Sequence, residues 1–421
     1  MRTMADVNPC ETPPPTPAAL PWRALLRRSD FTAYLVARAA SDFGDKLAKV
    51  AVSVAALIST GSVLAAAAVF AVCSLPGVFA DALLSPLADR RPRRTVMVLA
   101  DLARTGVALA MAGALTLGAP LWVALAGVFV VEVIAAPFYA AGAGLLAHLL
   151  PLPEDMAAGN GLRWMVQLAA MSGGWIAGGI LVAAGGAPLA LVVDAGTFLL
   201  SAALLTAYVP SPPPARTGGS ASSGWTQFTS DLRAAADAVH DSPALRGAFG
   251  SSWASTGLLV IPGGLALALA VAAGSSVQAG AWLLGAEAAG MAAGVAVVGR
   301  WPHAKQQRWG PWMAAGCAAA FLLSAQLTSW PVIAGAWALA GACTAFTLPL
   351  ANTVLLCAPH ASRGAVNGLH SAGAAVLQAG GFLLAGAVAD HAGVQPAVMM
   401  LAATGLVAAT WWAHTARLTP A

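Results

Sequence analysis

Charge is what this sequence has least of: Lys, Arg, Asp and Glu make up 9% of its 421 residues, against about a quarter in an ordinary soluble domain. That scarcity excludes a water-soluble globule, because 21 basic and 17 acidic residues cannot form a polar shell around a chain that is 59% hydrophobic. Cysteine is also sparse. Cys10 lies in the N-terminal segment, and Cys73, Cys317, Cys343 and Cys357 fall inside apolar runs with no CxxC spacing, which argues against disulfides and metal sites. No GxxxxGK[ST] loop is present, which argues against direct ATP use, and no cofactor is expected. The net charge of +4 does not imply nucleic acid, since the basic residues stand in short clusters between apolar runs, the pattern that sets membrane topology.

What the chain has in quantity is long apolar stretches. A helix needs about 20 such residues to cross about 30 Å of hydrocarbon, where open sheets leave backbone groups unsatisfied. The pattern predicts an all-α integral membrane fold of twelve transmembrane helices: Phe31–Thr60, Val63–Leu87, Thr95–Leu117, Leu121–Leu149, Met156–Ala184, Pro188–Val209, Pro243–Ala273, Val277–Arg300, Gly310–Leu327, Pro331–Cys357, Gly364–Asp390 and Gln395–Ala416. Six precede and six follow a polar linker, which predicts two pseudo-symmetric six-helix bundles at 31–209 and 243–417.

The loops after spans 2, 6, 8 and 10 hold Arg90, Arg91, Arg93, Arg94, Arg216, Arg233, Arg246, Arg300, Lys305, Arg308 and Arg363, and the loops after odd-numbered spans hold no Lys or Arg. By the positive-inside rule both termini are expected in the cytoplasm and the chain in the cell membrane. Residues 1–30, rich in Pro and Thr at first and then carrying Arg23, Arg27 and Arg28, lack the apolar segment of a cleaved signal and are expected to form a disordered tail. In the linker, 210–242, a Ser-Pro-Pro-Pro and Gly/Ser stretch precedes Trp225, Phe228, Leu232, Ala235 and Val239 at helical spacing, which predicts an amphipathic helix on the inner membrane surface, more readily a brace between the two halves than a docking site for a partner.

Ionisable residues inside hydrocarbon cost at least about 2.5 kcal/mol each, so each is a candidate for function. The first span is the richest. Arg38, Asp42, Asp45 and Lys49 are spaced 4, 3 and 4 and share one helical stripe, with Lys46 beside it. Asp42 and Asp45 stand roughly 16 to 21 Å into the helix at about 1.5 Å per residue, and Glu132 reaches similar depth in span 4 from the other side. These carboxylates could meet across one cavity and exchange protons there. The structural alternative is that Arg38 with Asp42, and Asp45 with Lys49, are neutralised pairs that hold helices together; Glu132 either pairs with span 1 or titrates. Glu287 is the one acid in the middle of a second-half span, while Asp81, Asp194 and Arg163 are as readily structural as functional. Trp164, Trp175, Trp253, Trp282 and Trp337 could line a cavity or form interfacial belts.

Between spans 2 and 3 the segment Ser85-Pro-Leu-Ala-Asp89-Arg90-Arg-Pro-Arg93-Arg94 resembles the cytoplasmic signature loop of the major facilitator superfamily, G-x-L-A-D-R-x-G-R-R, with Ser85 and Pro92 at the glycine positions. Ser41-Asp-Phe-Gly-Asp45, Asp101-Leu-Ala-Arg104, Asn160-Gly161, Asp194-Ala-Gly-Thr-Phe198, Arg363-Gly364 and Ala389-Asp390 are similar to segments of one branch, the drug and siderophore exporters that include macrolide efflux and enterobactin export proteins. The resemblance implies two bundles around a central cavity, alternating access, and a cytoplasmic gate in which Asp89 is latched with Arg90, Arg93 and Arg94, with Asp101 and Arg104 in the same set. Asp89 could accept bidentate bonds from arginine at that rim. The equivalent second-half loop, Gly299 to Arg308, keeps positive charge without the acid, so the latch is expected to be lopsided.

These readings converge on a monomeric secondary transporter that exports a small amphipathic or hydrophobic compound in exchange for protons, with lipid as its other partner. Asp42, Asp45 and Glu132 are the candidate proton and substrate groups, with Arg38, Lys46, Lys49 and Glu287 in the same set. One rival is a membrane-embedded enzyme using His148, His303, His370 or His391, although His370, the histidine clearly inside a span, has no nucleophile at recognisable spacing. Another is a non-transporting sensor, for which the extramembrane segments are short.

Overall fold

The computed structural model describes residues 22–78, 91–211, 224–359 and 362–418, and every regular element among them is helical. A single turn, Trp22–Leu25, leads into α1, Ser29–Thr60. Helix α1 ends at Gly61, whose φ of 67° favours glycine and whose N–H bonds Leu57 O. Then come α2, Val63–Ser74, which tightens into a 3₁₀ turn at Leu75–Val78, α3, Arg93–Thr116, and α4, Leu121–Leu149. The helical run Pro153–Tyr208 is broken at Gly185 and Gly186, the latter at φ 74°, giving α5 (153–184) and α6 (187–208). After the linker stand α7, Gly224–Asp241; α8, Pro243–Ala254; α9, Thr256–Ala272; α10, Ala279–Val298; α11, His303–Ser324; α12, Trp330–Cys343; α13, Thr347–Cys357; α14, Arg363–Ala392; and α15, Val394–Leu418.

Three spans differ from the sequence expectation. Pro243–Ala273 is interrupted at Ser255, whose hydroxyl bonds back to Ser251 O and Ser252 O. Pro331–Cys357 is interrupted by a 3₁₀ turn at Thr344–Phe346, just after the small pair Gly341 and Ala342. Helix α11 begins at His303, seven residues before Gly310, because Pro302 precedes it and Gln306 amide protons satisfy Val298 O and Trp301 O in the preceding turn. Hydropathy alone cannot place a helix start that lies outside the apolar run.

The apolar surface faces outward. Leu117 is 87% exposed, Trp312 71% and Trp122 67%, and the apolar stretch of α14 buries only 28% of its residues within the protein. Such a surface is stable only in lipid, so the chain is a multi-pass membrane protein. Among the described residues eight stretches are long and apolar enough to cross a bilayer, one of which, 158–208, contains both α5 and α6. Helix α1 is excluded by its charges and α2 is short in its described part.

Helix α1 is embedded by α5 and α6, with α3 and α4 beside them. At Gly174 and Gly178 an added Cβ would collide with backbone or Cβ atoms of Phe43, Lys46 and Leu47, so the helices touch along their backbones. The two halves of the chain meet where α2 lies on α14 and α9, and where α5 lies on α10. The α2–α14 contact is tied by Asp390, whose carboxylate accepts Ser62 Oγ at 2.6 Å, the Val63 amide at 2.6 Å and the Leu64 amide at 3.2 Å. Ser62 in turn accepts the Ala65 amide, so three unpaired amides at the start of α2 are satisfied, two of them by a residue of the other half. Further along, Phe70 stacks against both Trp175 and Phe382, at 5.8 and 5.6 Å between ring centres.

The linker helix α7 packs Ala235, Ala238 and Val239 against Leu245, Phe249, Val354 and Val366, and all of these partners belong to the second half.

Candidate functional site

The charge stripe of α1 is buried against protein. Arg38, Asp42 and Asp45 are 6%, 3% and 5% exposed, and Asp101 and Arg104 of α3 are wholly buried beside them. The Arg104 guanidinium pairs through Nη2 with Asp45 Oδ1 and through Nη1 with Asp101 Oδ1 at 3.3 Å, and donates a second Nη1 bond to Ser41 Oγ at 2.8 Å. The guanidinium face lies 4.0 Å from the Phe198 ring centre. The Tyr139 hydroxyl of α4 stands between the two carboxylates of the stripe, 3.1 Å from Asp42 Oδ1 and 3.0 Å from Asp45 Oδ2, and its single proton can serve either one. Arg38 stands 3.7 Å from Asp42 Oδ2 with its guanidinium 4.3 Å from the Tyr139 ring centre. Lys49 and Glu132 form an ion pair of 2.6 Å.

The expected partnership of Asp45 with Lys49 does not form. Arg104 takes Asp45 and Glu132 takes Lys49, because α3 and α4 bring partners to the stripe from the side; only Arg38 and Asp42 pair along α1 itself. Glu132 therefore follows the pairing branch of the expectation. Asp101 and Arg104, grouped in the sequence reading with the cytoplasmic gate, stand in this buried network instead. Their i, i+3 spacing inside an apolar helix is the signal that points there. Tyr139 is not marked by the sequence, and Ser41 only as the start of the segment Ser41–Asp45, since a hydroxyl carries no hydropathy signature strong enough to mark it.

Of the loop residues, Asp89 and Arg90 lie outside the described residues. Arg93 Nη1 bonds Gly144 O of α4 at 2.6 Å, and Arg94 Nη1 bonds Val209 O at the end of α6 at 3.0 Å. Each neutralises a carbonyl in the last turn or two of a neighbouring helix, where positive charge is favoured.

On the opposite flank of the stripe, Lys46 places its ammonium 5.7 Å from the ring centre of Trp175, at the junction with the second half, and has no ion pair among the described residues. Glu287 on α10 is half-buried and has neither an ion pair nor a side-chain hydrogen bond among the described residues. His370 of α14, which has no nucleophile at recognisable spacing in the sequence, has Ser252 Oγ at 2.8 Å, and Trp253 Nε1 bonds its carbonyl at 3.2 Å. The 118 residues that separate Ser252 from His370 hid this contact from the sequence. Trp337 is buried and donates to Ser324 Oγ at 3.1 Å, which is a packing role, Trp164 is exposed, and Trp282 lines a cavity with Gly179, Ala184 and Gln278.

A small cavity completes the network. Asp45, Lys49, Glu132 and Asp194 line it together with apolar Met111, Val128 and Leu191. No group of three or more candidate metal ligands occurs among the described residues.

No family model matches the sequence, and no curated protein matches it. Solved structures do match. A bacterial homologue of the human lysosomal transporter Spinster, in an inward-facing and unoccupied conformation, superposes with a TM-score of 0.68 at 14% identity, covering 96% of this chain and 100% of that one. The nucleoside transporter NupG gives 0.70 at 13% identity over 91% and 99% of the two chains. A structure described in terms of substrate recognition in proton-dependent oligopeptide transporters gives 0.67 at 13% identity over 93% and 98%. The chain thus shares the fold of these transporter structures.

Proposed function

We propose that this protein is a secondary active transporter of the cell membrane that exports a small amphipathic or hydrophobic compound by proton antiport. In this reading the helices form twelve spans in two six-helix bundles, the chain is a monomer, and both termini face the cytoplasm. The signature-like loop 85–94, the distribution of Lys and Arg, and the full-length likeness to transporters support it. The observation that carries it is the network of five acids and four bases, Asp42, Asp45, Asp101, Glu132 and Asp194 with Arg38, Lys46, Lys49 and Arg104, held among apolar helices. So much charge is seldom placed in hydrocarbon for stability alone.

Contacts between the halves include Ser62 with Asp390 and Gly179 with Gln278, at the end that the charge distribution puts on the outer side. A nearly balanced network favours a substrate without strong net charge.

The test is substrate-dependent proton movement in proteoliposomes loaded with a pH-sensitive dye, screened with lipophilic drugs and siderophores. Antiport predicts proton flux in the parent that Glu132→Gln and Asp45→Asn abolish. Substrate crossing without proton flux rules antiport out.

A further inference from the structure

We propose that Asp194 on α6, which the sequence leaves as readily structural as functional and which forms no ion pair among the described residues, is the carboxyl that carries the proton. This rests on the antiport reading above and names the group within it.

Three observations meet at this residue. First, Asp194 is 1% exposed and its Oδ1 has no hydrogen-bond partner. Burying an ionised carboxylate with an unsatisfied oxygen is costly, and a bound proton removes the charge. Second, its neighbours cannot neutralise it. The charged groups facing it are Asp45 and Lys49 from α1, Asp101 and Arg104 from α3, and Glu132 from α4. Lys49 is taken by Glu132, and the Arg104 guanidinium already serves Asp45 and Asp101, which leaves Asp194 the third acid around one cation. Third, Asp194 lines the same cavity as Asp45, Lys49 and Glu132, so a proton has a polar place to arrive from.

The contact that seats it is specific. A Cβ on Gly44 would collide with Asp194 Oδ1 and Thr197 Oγ1, so the carboxyl lies directly on the backbone of α1, one residue from Asp45. The step is a plain proton transfer. The carboxylate takes a proton from water entering from one side of the membrane, becomes a neutral carboxylic acid, and returns the proton to water on the other side. Asp45 and Lys46 are adjacent on α1, one facing this network and the other facing Trp175 at the junction of the halves. Protonation next to Asp45 is thereby felt where the halves meet.

The experiment is an infrared pH titration of the full-length protein in lipid bilayers, following the C=O stretch that a carboxyl shows only when protonated, for the parent, Asp194→Asn and Asp194→Glu. The expected result is a titrating band that Asp194→Asn loses and Asp194→Glu restores at a shifted frequency. A band unchanged in Asp194→Asn overturns the assignment. Should Asp194→Asn fail to fold, Asp194→Glu decides by itself: a shifted band supports the assignment and an unshifted one refutes it. If the band belongs to Asp194 but no lipophilic compound in the transport screen drives proton flux, the proton site stands and antiport falls. If flux occurs and is undiminished in Asp194→Asn, antiport stands and the role of Asp194 falls.

Discussion

Asp45 on α1 and Arg104 on α3 form an ion pair closed to solvent, and the same guanidinium also holds Asp101 and Ser41. Arg104 is thus the one cation binding α1 to α3 at this depth, and its removal leaves two buried acids without their partner. Arg104→Gln is expected to destabilise the protein by about 3–5 kcal/mol, as breakage of a buried pair does. The double variant Asp45→Asn/Arg104→Gln should recover part of that loss. Thermal unfolding in detergent micelles checks both, and strictly additive losses would show that the two side chains do not interact.

Tyr139→Phe removes the hydroxyl whose one proton is shared between Asp42 and Asp45 and leaves that donor missing between two buried carboxylates. The expected cost is about 1–3 kcal/mol. The loss should shrink when Asp42 is also changed to Asn, because the like charge then disappears. Unfolding midpoints of the single and double variants measure this.

Lys49 and Glu132 depend on each other. Glu132→Gln leaves a buried ammonium uncompensated, and Lys49→Gln leaves a buried carboxylate, so each single change should lower stability more than the pair Lys49→Gln/Glu132→Gln does. In the transport assay the double variant is expected to fold and yet to move no protons. Full proton flux in that variant would remove the pair from the mechanism.

Asp390 caps α2 from the other half of the chain. Loss of such a cap costs about 0.5–2 kcal/mol, so Asp390→Ala should shift the balance between the two access states about 2- to 30-fold toward opening at that end. Distances between spin labels placed at Ala184 and Ser276, on the two sides of the junction, should lengthen in the variant. An unchanged distance distribution would show that the Phe70, Trp175 and Phe382 packing holds the junction without the cap.

Much of this was legible in the residues. The paucity of charge and the apolar runs were enough for an all-helical membrane fold, because hydrocarbon leaves the backbone few other ways to satisfy its groups. The 4, 3, 4 spacing on α1 placed Arg38, Asp42, Asp45 and Lys49 on one face, since helical periodicity is a local property. The interruptions at Ser255 and Thr344 were not legible, because each depends on how a local turn competes with continued helix in its packed setting.

Partnership was decided only in three dimensions. Sequence spacing predicts contacts one turn away along a helix, so it offered Lys49 to Asp45, whereas the tertiary structure brought Arg104 across from α3 and Glu132 across from α4. The same holds for Asp194, ordinary as a letter in an apolar run, which becomes distinctive when α6 presses it onto Gly44 and every nearby cation is already engaged. By itself the sequence determined the solvent, the secondary structure and the charged face, which are governed by hydropathy and local geometry. Which charges are paired and which acid is left over follows from the packing of helices far apart in the chain, and only the folded protein decided that.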